Sequence, residues 1–339
     1  MKELIGQIIM AGLPGPKLDD NTKKLIELFR VNNFILFKRN LDQGPDIAAK
    51  LIEDIKVYCK NAGLSLPLIA IDQEGGPVQR LSPPFWPSLI SNQEVGNDLE
   101  PFQKVIYQAK MAAKALKKLG ININLAPVLD LATPEQNDVL SQRCYSSDPL
   151  ITGELGSLYV ETLQNYCIAA TAKHFPGIGR TKQDPHIKQP TIYSEPDKIL
   201  TEAYPFQLAI DARVQGIMTS HILFPSLDPD HTATFSYTIT TQLLRNNFGF
   251  NGVVFTDDLE MGGITENINV PEAALKALKA GHDMLLICHN QGLIIEAIDA
   301  IGVSVSQEDY LMDRLDQARA RIDQLRIFIE ECENNHTSC

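Results

Sequence analysis

Short apolar runs, many of them β-branched, recur along the chain and alternate with longer stretches in which apolar positions return every three or four residues. The short runs fall at 7–11, 34–37, 68–71, 121–126, 168–173, 216–221, 253–257 and 284–288. Helical spacing fills 21–30, 45–61, 101–119, 152–167, 197–213, 238–247 and 271–280, several of them starting beside Asp, Thr or Pro and ending at Asn or Gly, as caps require. Strand candidates that alternate with helices predict a parallel sheet, and about eight of them is the number that closes a barrel. From 307 to 335 the apolar residues Leu311, Leu315, Ala318, Ile322, Leu325 and Ile329 step by three or four and predict one closing helix. No Ser/Gly linker, repeat or low-complexity tract divides the chain. The expected fold is therefore α/β, a (β/α)8 TIM-like barrel spanning 1–339 as a single domain.

Composition narrows the partners. With 44% hydrophobic and 21% charged residues the chain has the make-up of a soluble globular protein, and a net charge of −12 repels phosphate backbones, so nucleic acid is not an expected partner. No apolar run approaches the length of a bilayer span, so no membrane partner is expected either. The opening MKELIGQIIMAGLPG resembles a poor secretory signal but serves equally as a first buried strand, and a cytoplasmic location is expected on that reading. Six cysteines, none in Cys-x-x-Cys spacing, are expected to be reduced structural thiols in a chain large enough to build its core without staples. Oligomeric state is not legible.

In a barrel of this kind chemistry gathers where strands end. IDQEGGPVQRL follows the third strand and carries Asp72, Glu74 and Arg80 around Gly75-Gly76; KHFPGIGRTKQDPH, MTSHILFP and FTDDLEMGG follow the fifth, sixth and seventh. Pro185 biases Asp184 toward extended backbone, which turns Asp184 and His186 the same way and sets a carboxylate beside an imidazole. Such a pair donates and accepts protons near neutral pH, although a solvated loop Asp and His is the commoner meaning of such a triplet. Asp257 and Asp258 end an apolar strand, so one of them faces the mouth as an ionised carboxylate or caps the next helix. Lys173 and His174 offer donors to substrate hydroxyls, or Lys173 pairs with a nearby carboxylate.

FILFKRN, IDQEGGPVQRL, INLAPVLDL, SQRCYSSDP, AKHFPGIGRT, DPH, MTSHILFPSLD, GFNGVVFTDDLEMGG and AGHDMLLI, in this order, resemble glycoside hydrolase family 3, and within it the single-domain bacterial β-N-acetylglucosaminidases of cell-wall recycling. The resemblance implies a retaining exo-hydrolase acting on terminal β-linked N-acetylglucosamine, with a small carbohydrate or muropeptide fragment as its partner and without cofactor or metal. It implies Asp257 as nucleophile and Asp184 with His186 as the acid/base pair. It also implies sugar-binding roles for Asp72, Arg80, Arg143, Lys173 and His174, with His221 a weaker candidate. Residue chemistry agrees, since the reaction needs a proton donor and an ionised carboxylate on opposite sides of the bond.

The chain departs from the family pattern at Ile178 and Arg180, which stand where KHFPGHGDT has His and Asp, and at Pro77, which replaces an Arg often found after EGG. Arg180 and Lys182 make the acid/base loop more basic and would compete with His186 for Asp184. These changes keep open a β-glucosidase, a phosphorylase, or a sugar-binding homologue that has lost turnover. A metal-dependent hydrolase built on His174, His186, His221, Asp72 and Asp257 is a further alternative, opposed by the lack of His-x-His or His-Glu-x-x-His spacing.

Overall fold

A computed structural model describes residues 1–133, 138–179 and 190–337. Eight parallel strands form one sheet: β1 (Ile9–Gly12), β2 (Asn33–Leu36), β3 (Leu68–Ile71), β4 (Ile123–Asn124), β5 (Ala169–Phe175), β6 (Gly216–Thr219), β7 (Val253–Phe255) and β8 (Leu285–Ile287). Neighbours follow chain order from β1 to β7, and β8 lies beside β1 with Ile9 opposite Leu285. A parallel bridge between Phe255 and Met284, with Thr256 N–H donating to the Met284 carbonyl at 3.0 Å, closes the circle between β7 and β8. Each residue of β1, β2 and β3 is buried, as helices packed around a parallel sheet require. The (β/α)8 architecture expected from the alternation is thus the one observed.

β4 is shorter than the apolar run suggests because Pro127 has no N–H to give to a ladder. The chain nevertheless stays beside β5: Thr171 donates to the Ala126 carbonyl at 3.0 Å, and Leu129 donates to the Lys173 carbonyl at 2.7 Å. That irregular extension carries Asp130 to the mouth.

The helices Pro45–Asn61 and Pro101–Leu119 have the predicted bounds, and each starts with Pro in its first turn. The single helix expected over 197–213 is instead two, Pro196–Glu202 and Tyr204–Asp211, because Pro205 supplies no donor to a continuous ladder. Thr238–Asn247 is helical as expected but wound as a π-helix. The helix Gln291–Val305 was not predicted; its run of Leu, Ile, Ala and Val is too apolar to show a clear polar face.

The closing helix Asp309–Thr337 lies across the floor of the barrel, the end opposite the mouth, and buries all six residues expected on its apolar face. Its cations reach several strand starts. Arg314 Nη2 is 2.6 Å from Asp283 Oδ1, Arg319 Nε 3.0 Å from Gln7 Oε1, and Arg326 Nη2 2.6 Å from Asn33 Oδ1. A disulfide joins Cys332 on this helix to Cys167 ahead of β5, with Cα atoms 5.4 Å apart. This corrects the expectation of wholly reduced thiols: spacing in sequence carried no sign of two cysteines that only the closing helix brings together. Cys59, Cys144 and Cys288 are buried. No helix among the described residues is long and apolar enough to cross a membrane.

Candidate active site

β3 ends at Ile71 and delivers Asp72 to the mouth, after which Gln73–Gly75 and Val78–Gln79 form a small hairpin. The reversal depends on Gly75 at φ 112° and Gly76 at φ 55°; a Cβ on Gly75 would also lie 2.4 Å from the Ile90 carbonyl oxygen. The hairpin brings Arg80 back over Asp72, Nη2 to Oδ2 at 2.9 Å.

At the end of β5, Lys173 pairs with Met218 and Phe175 with Thr219, so His174 is an extra residue in the register. In a regular strand neighbouring side chains diverge; the irregularity lets both Lys173 and His174 address the mouth. Lys173 Nζ is 2.8 Å from Asp72 Oδ1 and 2.7 Å from Glu74 Oε1. Arg143, at the end of the helix Asp138–Arg143, grips Glu74 with both arms of its fork at 2.8 and 3.0 Å. Burial alone would raise the carboxyl pKa of Asp72, but Lys173 and Arg80 outweigh it and hold the group far below its ordinary range. Arg143 and Lys173 also lower the pKa of Glu74 against its burial, and the two carboxylates keep Lys173 charged in spite of its burial. The network is a fixed set of charges at neutral pH.

Asp130 orients His174. Its Oδ2 lies 2.7 Å from Nδ1, while Oδ1 accepts from the main-chain N–H of His174 at 3.2 Å and of Ile178 at 3.0 Å. A carboxylate accepts, so Nδ1 carries the proton and Nε2 points into the cleft, 3.4 Å from Arg143 Nη2 and 3.9 Å from Asp257 Oδ2.

Asp257 follows β7. Its Oδ1 accepts from the Asp258 main-chain N–H at 2.8 Å, and its side chain is 26% exposed. Burial pushes its pKa up, but His174, His221, Lys173 and the Asp258 N–H together bring it below the ordinary value, so the carboxylate is ionised. Neither Asp257 nor Asp258 caps a helix; the next one, Gly262–Thr265, starts from Met261. Asp257 lines two cavities at the mouth. One is walled by Arg143, His174, Ile178, Ser220 and His221, the other by Phe37, Asp72, Arg80, Asp258 and His289.

Over residues 1–325 the chain matches the Glycosyl hydrolase family 3 N terminal domain. It belongs to glycosyl hydrolase family 3. A beta-hexosaminidase of Idiomarina loihiensis is 34% identical over 299 residues, covering 86% of this chain and 87% of that protein. The family 3 beta-N-acetylglucosaminidase structure from Paenibacillus sp. superposes with a TM-score of 0.90 at 34% identity; the match covers 97% of this chain but only 62% of that one. The beta-N-acetylhexosaminidase structure from Beutenbergia cavernae gives a TM-score of 0.87 at 26% identity, covering 96% and 98% of the two chains.

Within this family 3 barrel, the predicted positions Asp72, Arg80, Arg143, Lys173, His174 and Asp257 converge at one mouth. His221 lines the cleft with both ring nitrogens engaged, Nδ1 to Thr234 Oγ1 at 2.6 Å and Nε2 to the Asp258 carbonyl at 3.0 Å. Burial lowers its pKa against the pull of Asp257, and Nε2 donates to the Asp258 carbonyl and so holds the turn that presents Asp257. Asp184 and His186 lie outside the described residues, as do Arg180 and Lys182. Two residues at the centre of the network were given no role in the sequence: Glu74, noted only as part of the strand-end cluster, and Asp130, not noted at all. Glu74 stands in the same motif as Asp72, and INLAPVLDL carries Asp130 just past a strand, so the strand-end rule points to both. Among the described residues no group of three or more His, Cys, Asp and Glu side chains is arranged to hold a metal ion.

Proposed function

We propose that this glycoside hydrolase is a retaining exo-β-N-acetylhexosaminidase, removing terminal β-linked N-acetylglucosamine from small glycans such as peptidoglycan fragments, with the whole chain, 1–339, acting as one catalytic unit. The observation that carries the reading is an ionised, partly open Asp257 between two cavities, with the Lys173 and Arg143 donors and the His174 ring around it. The names of the relatives support the acetamido sugar.

On this reading the Asp257 carboxylate attacks the anomeric carbon while protonated His186, oriented by Asp184, gives its proton to the departing glycosidic oxygen. Neutral His186 then takes a proton from water as the water oxygen attacks the same carbon and releases Asp257. Water is the only co-reactant, so the chemistry calls for no cofactor or metal. Asp72, Arg80, Lys173, His174 and Arg143 hold the sugar hydroxyls, and their mutual ion pairs keep the donors in place before substrate arrives. Ile178 gives one cavity an apolar wall where family members often have His.

Release of 4-nitrophenol from the β-N-acetylglucosaminide and the β-glucoside, with and without phosphate, tests this. We expect preference for the acetamido sugar, the β-anomer as first product by NMR, and loss of at least about a thousandfold in kcat for Asp257→Ala. A first-formed α-anomer, or turnover that survives Asp257→Ala and His186→Ala, overturns the mechanism; phosphate-dependent sugar 1-phosphate makes the protein a phosphorylase.

The Cys167–Cys332 disulfide favours an oxidising compartment over the cytoplasm expected from the sequence. Four titratable thiols of the six cysteines in denatured, unreduced protein from its native cells would agree; six would restore the cytoplasm.

A further inference from the structure

Among the described residues, the barrel floor gathers three guanidinium groups on one buried carboxylate. Asp283 is fully buried and takes Arg245, Arg314 at 2.6 Å and Arg321 at 3.1 Å, so three cations share a single negative charge. Arg245 spends its other arm on the carbonyls of Phe250 and Gly252, and Arg314 also binds those of Leu278, Gly281 and His282. Burial, followed by repulsion from Arg321 and Arg314, brings the Arg245 pKa down to about 10.

Arg321 differs from the other two. Its contact with Asp283 occupies Nη1, and the side chain lines a cavity shared with Arg213, Gln215, Asn251 and Gln324. No carboxylate is in that lining, and no ion pair joins Arg213 to an acidic group among the described residues. Arg213 is exposed and Arg321 partly so, and guanidinium N–H groups only donate, so at this cavity, whose lining holds no carboxylate, their forks are free to exchange water for an anion. A tetrahedral oxyanion presents paired oxygens at the spacing of such a fork, and the three amides can donate to the remaining oxygens. An adjoining cavity that shares Arg213 and Gln215 is edged by Glu161 and Glu331, which confines the cationic character to the inner site.

We propose that this floor cavity, at the end of the barrel away from the active site, binds a phosphate or sulfate group between Arg213 and Arg321. The bound anion joins the closing helix, which supplies Arg321 and Gln324, to the segments leading into β6 and β7, which supply Arg213, Gln215 and Asn251. Binding therefore stabilises the fold by linkage.

Calorimetric titration and thermal unfolding of the full chain with inorganic phosphate, inorganic sulfate or a sugar monophosphate, against chloride at equal ionic strength, test this. The expected result is saturable binding, a matching rise in Tm, and an unchanged KM for the aryl glycoside, since an anion held in the mouth would compete with substrate. Arg213→Gln, which removes no structural ion pair, should leave the ligand-free Tm alone and weaken binding by about tenfold or more; Arg321→Gln should do the same with some loss of stability. Tighter binding of the sugar phosphate identifies a carried group, and tighter binding of inorganic phosphate a free ion. A Tm response no greater than that of chloride, or affinity unchanged by Arg213→Gln, overturns the proposal.

Discussion

Asp130 holds a catalytic-mouth histidine by three bonds at once, one to the ring and two to the main chain around it. Replacing it by Asn keeps the shape and removes the charge that fixes the Nδ1–H tautomer, so we expect Asp130→Asn to lower kcat about 10-fold or more and to shift the pH profile, with a smaller change in KM. Unaltered kcat and profile would reduce Asp130 to a packing role. Residues of this kind explain what was legible. Asp72, Lys173 and Asp257 stand out because charged side chains at strand ends are conspicuous in sequence, while Arg143, at the end of a helix, was reached only through the family resemblance. Glu74 and Asp130 touch other protein groups first, and nothing in a single sequence distinguishes a carboxylate that grips an arginine from one in solvent. His221 was legible as a mouth residue, but its engagement with Thr234 and the Asp258 carbonyl depends on a loop that returns from far along the chain.

Strands and helices were legible where one physical signal dominated. β3 was placed to the residue by its four buried apolar side chains and Pro67 before them, and Pro45–Asn61 by its proline start and apolar stripe. The misses lie where a second effect intervened: Pro205 dividing a helix, Pro127 shortening a strand, and an apolar surplus masking the period of Gln291–Val305. The seam between β1 and β8 shows how little tolerance such elements have. A Cβ on Gly12 would stand 1.9 Å from the Cys288 carbonyl oxygen, a backbone atom that cannot rotate away. Gly12→Ala should therefore destabilise the fold by about 1–3 kcal/mol, read as a lower denaturant midpoint at constant slope. An unchanged midpoint would mean that the seam is looser than it stands here.

For the molecule as a whole, acid is the expected weakness. His282 is buried and neutral, donating from Nδ1 to the Ala277 carbonyl and accepting from Thr219 at Nε2; burial takes its pKa from 6.5 to about 3. The unfolded chain thus binds a proton that the folded one refuses, and stability present above pH 6.5 declines as pH falls toward 3. Asp72 and Glu74, whose carboxyl pKa values are depressed in the fold, add a second decline below their ordinary values of 3.8 and 4.5. Tm measured against pH should fall in two stages, and His282→Gln, which keeps a donor and an acceptor, should flatten the first. Reduction of the disulfide, which closes a loop of 165 residues, should cost about 2–5 kcal/mol, seen as a lower Tm with thiol at neutral pH.

The pairing of β1 with β8 also has a consequence for how the protein is made. A ribosome releases Ile9 long before Leu285, and until then the first strand has one edge with nothing to pair. The floor is sealed later still, by a helix whose arginines and Cys332 emerge after every strand. Synthesis therefore passes through an open, edge-exposed barrel that closes only when β8 and then this helix arrive, and it is in that interval, rather than in the closed fold, that chaperones have the most to protect.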